Sequence, residues 1–228
     1  MSSRSIAIVL LFCLISLGFR PADAFAQEAK HSAVTGSIAP RGDQGLDKKQ
    51  VELVRKVNAY FNQLTTIKGT FLQTSADNQR QRGHYYIARP GRFRFEFNRP
   101  SRVVILSDGR YISIQDHDLN TEDRWELTYT PFRALLQREV DLLRDTRIFE
   151  VKEEQDGAIT ILFEDQSSDT AGRVKLFMAS KPALQVKAWI TKDAQGLDTR
   201  VDLTDVQPSE EPDAKLFDPA LKLERQPR

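Results

Sequence analysis

"GHYYIARPGRFRFEFNRP", residues 83–100, holds five tyrosine and phenylalanine rings, a histidine and two Arg-Pro pairs. Phe93, Phe95 and Phe97 alternate with Arg92, Arg94 and Glu96. That period of two describes a strand with one apolar and one charged face. Pro90-Gly91 is a turn signal, so the stretch reads as strand, turn, strand. The question it sets is what the apolar face is turned toward.

Outward from this stretch the same alternation recurs. Candidate strands are 67–74, 82–89, 92–98, 102–107, 110–116 and 121–128, then 146–154, 158–165, 172–179, 184–192 and 199–207. Asn98 to Pro100, Asp108-Gly109, Asp156-Gly157 and Gln195-Gly196 punctuate them. Short links imply antiparallel order, because parallel pairs need long crossovers. The rows Phe93/Phe95/Phe97, Ile112/Ile114, Ile159/Ile161/Phe163, Val174/Leu176/Met178 and Val186/Ala188/Ile190 predict one apolar face.

Two segments break the pattern. Val51, Val54, Val57, Phe61 and Leu64 recur at helical spacing, predicting an amphipathic helix over 48–64. Asp47 and Gln50 stand where a capping box would start it. Phe132, Leu135, Leu136, Val140 and Leu143 predict a second helix over 131–144, with Pro131 in its first turn. Both need an apolar surface, and the sheet offers it. The expected class is α+β: a curved antiparallel sheet of about eleven strands, a half-barrel, closed by amphipathic helices. From the residues alone its interior is either filled, the common fate of aromatic stripes, or hollow.

The chain of 228 residues opens with Arg4, an apolar run from Ile6 to Phe19 and the small-residue sites Ala22-Asp23-Ala24 and Ala24-Phe25-Ala26. Residues 1–26 therefore read as a secretory signal peptide, too short for a span needing about 20 residues. Cys13 lies inside that run behind Leu11 and Phe12, where a lipid-attachment site needs small residues. Residues 27–46, with Gly36, Pro40, Gly42 and Gly45, read as a flexible leader, and 47–228 as one domain. Of 33 basic and 32 acidic residues, the signal takes Arg4, Arg20 and Asp23, leaving 31 of each. A neutral exported chain has no electrostatic pull toward nucleic acid.

Chemistry is weakly marked. There is no Gly-x-Ser-x-Gly elbow, phosphate-cradling glycine loop or paired zinc histidines. Asp116-His117-Asp118 could offer metal ligands, but with Asn120 it also spells a turn. Aromatic–basic alternation around glycine also marks RNA-recognition strands; the export signal and neutral charge argue against that here. No cofactor, metal or catalytic residue is expected.

In order along the chain, "TIKGTFLQT" (66–74), the opening stretch, "VVILSDGRYISIQDHDLN" (103–120), "TPFRALL" (130–136) and "AKLFDP" (214–219) resemble the LolA-type outer-membrane lipoprotein carrier family. The resemblance covers residues 48 to about 220. It implies a half-barrel with a helical lid over a cavity for lipid acyl chains. It also implies a role: taking lipoproteins from an inner-membrane ATP-driven exporter across the periplasm to the outer membrane or an acceptor there. Arg89 is then the residue that ties the lid shut, and Phe93 lies at the cavity and matters for handing over cargo. The expected lining is Phe71, Phe93, Phe95, Phe97, Ile112, Ile114, Phe132, Leu135 and Leu136. Two positions depart from the family: Phe95 stands where tryptophan is frequent, and Tyr111-Ile112 where Leu-Trp is. The expectation is a monomeric periplasmic carrier of acylated lipoproteins, not an enzyme. An envelope-stress sensor of mislocalised lipoproteins and a general lipid shuttle are the alternatives.

Overall fold

A computed structural model describes residues 45–166, 172–192 and 196–220. The expected signal segment 1–26 and residues 27–44 of the expected leader lie outside them. Helix α1 runs Lys48–Gln63 and opens with the capping box: the Asp47 carboxylate accepts from Gln50 N at 2.8 Å and Gln50 Oε1 accepts from Asp47 N at 3.0 Å. Leu53, Val54, Val57 and Phe61 form its buried face.

Eleven strands follow: β1 Thr66–Thr74, β2 Arg80–Ala88, β3 Arg92–Phe97, β4 Val103–Asp108, β5 Tyr111–Asp116, β6 Thr121–Glu126, β7 Thr146–Glu153, β8 Ile159–Asp165, β9 Arg173–Ala179, β10 Gln185–Lys192 and β11 Asp198–Pro208. They make one antiparallel sheet in the order β6-β5-β4-β3-β2-β1-β11-β10-β9-β8-β7. Each half is a meander whose neighbours in sequence pair, and the first and last strands join the halves. This is the expected α+β half-barrel.

The order has a consequence for what covers the sheet. β6 and β7 are consecutive in sequence but lie at opposite edges. The connection 127–145 must therefore cross from edge to edge, and it does so over the concave, apolar face, which Ile67, Phe71, Tyr85, Phe93, Phe95, Ile105 and Ile112 occupy. At Gly83 a Cβ would lie 2.0 Å from Glu96 O and 2.5 Å from Phe71 Cε1. Only a residue without a side chain lets the Phe71 ring lie across β2.

The expected single helix 131–144 is not formed. The connection instead holds two short helices, α2 Arg133–Leu136 and α3 Leu142–Asp145, with Gln137 extended at ψ 160°. The backbone groups between them bond to distant side chains. Val140 donates to Asn62 Oδ1 at 2.7 Å while Asn62 Nδ2 donates to Val140 O at 2.9 Å. Leu142 N donates to Asn58 Oδ1 at 3.1 Å, and the Asp141 carboxylate caps α3. A continuous helix would forfeit these bonds. Asn62→Ala is expected to leave the buried Val140 N–H unpaired, at about 1–2 kcal/mol. A small fall in melting temperature together with faster amide exchange at Val140 would show it.

The charged face of β3 is also not simply solvated. Arg94 is 1% exposed. Its Nη1 donates to Leu216 O at 3.1 Å and its Nε to the Glu96 carboxylate. The C-terminal segment causes this burial: a 3-10 turn at Ala214–Phe217 lies on β3 and β4, and Phe217, Val104 and Leu106 are buried with it. Arg92 pairs with Glu211 at 2.6 Å, and Gln115 Nε2 donates to Pro219 O at 2.6 Å. The strands behind Phe93 and Phe95 are thus packed on both sides.

Candidate functional site

Between the concave sheet and the crossing segment lies a cavity of about 80 Å³ with a nearly wholly apolar wall. The end of α1 supplies Phe61, and Leu64 follows it. The crossing segment supplies Phe132, Leu135 and Leu136. Sheet strands supply Ile67, Ile87, Phe93, Phe95, Leu203, Val186, Trp189 and Leu176. Arg89, just past β2, is the charged member of the wall. A single water needs about 10–15 Å³ of such space, so the cavity has room for roughly half a dozen small groups.

The rings form a connected array with Phe95 at its hub. Its centroid lies 5.2 Å from Phe71, 5.7 Å from the stacked Tyr85, 6.0 Å from Phe93 and 6.2 Å from Trp189. Phe132 of the crossing segment meets Trp189 edge-on at 5.6 Å. Burial holds the Tyr85 phenol well above its ordinary pKa, with Tyr60 and Asp205 adding to the shift.

The candidate residues divide. Arg89, Phe93, Phe95, Phe132, Leu135 and Leu136 meet at the cavity. Phe71 and Phe97 lie behind it in the ring array, 5.0 Å from each other, while Ile112 and Ile114 belong to the concave core outside the wall.

Trp189 is the wall residue that alternation hides. In the row Val186/Ala188/Ile190, the sequence places position 189 on the other face. A bulge between Val186 and Ala188 inserts one extra residue, so Val186 pairs Met178 but Ala188 pairs Phe177. Beyond it Trp189 pairs Leu176 and faces inward, and Ala188 and Ile190 turn outward. A bulge carries no compositional signal here that the chain's alternation would reveal.

Two further contacts hold the crossing segment, beside its bonds to Asn58 and Asn62. Arg89 Nη2 donates to the backbone carbonyls of Gln137 and, at 3.3 Å, Arg138. Burial lowers the pKa of this guanidinium, though arginine stays charged. On the other side the Asp165 carboxylate, fully buried at the end of β8, accepts from Arg133 Nη2 at 3.0 Å and Nε at 3.0 Å. It also accepts from Ala134 N at 3.1 Å. At Asp116-His117-Asp118, the metal-ligand alternative, Asp116 Oδ1 accepts from Asp118 N at 2.8 Å and Leu119 N at 3.0 Å, which is the geometry of a turn. Among the described residues no group of three or more His, Cys, Asp or Glu could hold a metal, and no helix is long and apolar enough to cross a membrane.

A carrier protein from Methylobacillus flagellatus is 32% identical over 72 residues, covering 29% of this chain and 35% of that one, so the match spans about a third of that relative. One from Legionella pneumophila (strain Corby) is 26% identical over 174 residues, 75% of this chain and 81% of its own. Both are outer-membrane lipoprotein carrier proteins. A solved LolA superfamily protein from Nitrosomonas europaea is 13% identical with a TM-score of 0.39, covering 72% of this chain and 97% of its own. The family model described as outer membrane lipoprotein carrier protein LolA matches residues 62–220, all of the described sheet and all of the cavity wall except Phe61. The chain belongs to the LolA family of outer membrane lipoprotein carrier proteins.

Proposed function

We propose that this chain is a periplasmic carrier that shields the acyl chains of lipoproteins. It takes them from an inner-membrane ATP-driven exporter to the outer membrane or an acceptor there, as a monomer and without chemistry of its own. The observation that carries the reading is an apolar cavity whose wall holds one charged side chain, Arg89, bonded to backbone carbonyls of the cover. Each buried methylene is worth about 0.8 kcal/mol, so a sixteen-carbon chain in water costs on the order of 12 kcal/mol. Rings and branched side chains offset that cost without demanding one chain geometry.

The cavity is too small for such a chain, so the described form is the closed one, and the lid 127–145 must move for loading. Arg89 suits a reversible latch, because a guanidinium donates to carbonyls in the closed form and to water or cargo in the open one. Mass spectrometry of the protein purified from periplasm is expected to find acylated lipoprotein in it. Protein loaded with phospholipid alone would sink the stated cargo and leave a general lipid shuttle.

Arg89→Leu is expected to fold, with stability reduced by about 1–2 kcal/mol through the lost bonds to Gln137 and Arg138. Amide exchange over 132–138 should quicken, and release of cargo between membranes should change. Unaltered exchange there would remove the latch role.

A further inference from the structure

The convex side of the sheet, opposite the cavity, is charged unevenly. Strand register sets Arg80, Arg200 and Lys175 in one row from β2 to β9, with Thr74 and Ile190 between them. Arg82 and Lys152 end the next row. Lys192, Arg173 and Arg147 share a third, and Lys68 lies on the far side of β1. Against these nine cations stand five carboxylates, Glu150, Glu164, Asp198, Asp202 and Asp205. The whole chain has 33 basic and 32 acidic residues, so the remainder is net acidic.

The surplus is open to a partner. Asp202, Asp198, Glu150 and Glu164 pair locally with Arg200, Lys192, Lys152 and Arg173. Among the described residues Lys68, Arg80, Arg82 and Arg147 have no carboxylate within ion-pair distance. Rings hold other cations without neutralising them: Arg173 lies 4.1 Å over half-buried Phe149, and Arg200 5.1 Å over half-buried Phe177. Cations two strands apart in a row are separated by about 10 Å. That is close to the screening length at physiological salt, so their potentials overlap.

We propose that this convex face docks the chain on the anionic head groups of a phospholipid bilayer. Shape favours a bilayer over an acidic protein. A convex face offers many cations at once only to a partner that yields to it. Anionic lipids diffuse to each cation, whereas a folded protein would need carboxylates fixed at matching positions. The lid crosses the other face of the sheet, so docking leaves it free to move. The inference goes beyond the carrier reading and is independent of the cargo, since it needs neither the cavity nor a bound chain.

The test is sedimentation of protein purified from periplasm with vesicles of phosphatidylcholine alone, or with about a third of phosphatidylglycerol. At about 0.05 M salt the anionic vesicles are expected to bind at least roughly tenfold more tightly, and at about 0.5 M the advantage should vanish. Each basic residue near an anionic surface is worth about a factor of five, so Lys68→Gln, Arg80→Gln and Arg82→Gln together should weaken binding by about a hundredfold. These side chains lie on exposed strand positions, and an unchanged melting temperature would show the fold intact. A second triple, Arg102→Gln, Arg110→Gln and Arg124→Gln around β4–β6, removes the same charge elsewhere and should change binding by less than about fivefold. Equal loss in the two triples would make net charge the cause and overturn the assigned face. Equal binding to both vesicle types, or to neither, would overturn the proposal and leave the carrier reading standing. Binding to polyglutamate but to no vesicle would also overturn it, turning the face toward an acidic protein.

Discussion

Phe95→Ala is expected to lower the stability of the folded chain by about 4 kcal/mol, the range for truncating a buried phenylalanine. Phe95 is 4% exposed and touches Phe71, Tyr85, Phe93 and Trp189, so its loss removes ring contacts as well as buried area. At roughly 2–4 °C per kcal/mol for a domain of this size, the melting temperature should fall by about 8–16 °C. A merely structural core would show nothing more. Here the lost ring enlarges an apolar cavity, so if the cavity binds acyl chains a chain can occupy the vacated space. Adding a neutral fluorescent acyl-chain probe should therefore raise the melting temperature of Phe95→Ala by more than that of the unaltered chain. A uniform shift in both proteins would place Phe95 outside the binding space.

Asp165→Ala should act on the opposite anchor of the lid with an effect of about 3 kcal/mol, the lower end for breaking a buried ion pair. The lower end applies because Arg133 keeps 21% of its side chain exposed and can be partly rehydrated. Ala134 N–H cannot, since it lies in a fully buried residue and loses the Asp165 oxygen that accepted it. Asp165→Asn keeps an acceptor for that N–H and should cost about half as much. The readout specific to the lid is amide exchange at Ala134 and Leu135, expected to approach the global rate in Asp165→Ala. If exchange there stays as slow as in α1, the Arg133–Asp165 pair is a sheet-edge contact with no hold on the lid.

These two predictions concern residues that were unequally visible in the sequence. Phe95 stands in an alternating run, and alternation is a local property of five or six positions. The same holds for the eleven strands, each observed within two residues of its sequence-based bounds, and for α1, whose cap Asp47–Gln50 is set within one turn. Arg133–Asp165 was not legible: 32 residues separate the partners, and each reads singly as a solvated charge.

The amino-acid sequence by itself determined α1, the eleven strands, their apolar face and the need for a cover, because periodicity and capping depend on near neighbours. Tertiary structure alone decided the rest. It set β1 beside β11, so that β6 and β7 fall at opposite edges and the segment between them must cross the hollow. It split 131–144, because Asn58, Asn62 and Arg89 hold backbone groups that a helix would need. It turned Trp189 inward through the β10 bulge and buried Arg94 under the C-terminal turn. Each of these outcomes depends on contacts between residues far apart in the chain, and no local pattern of residues encodes those.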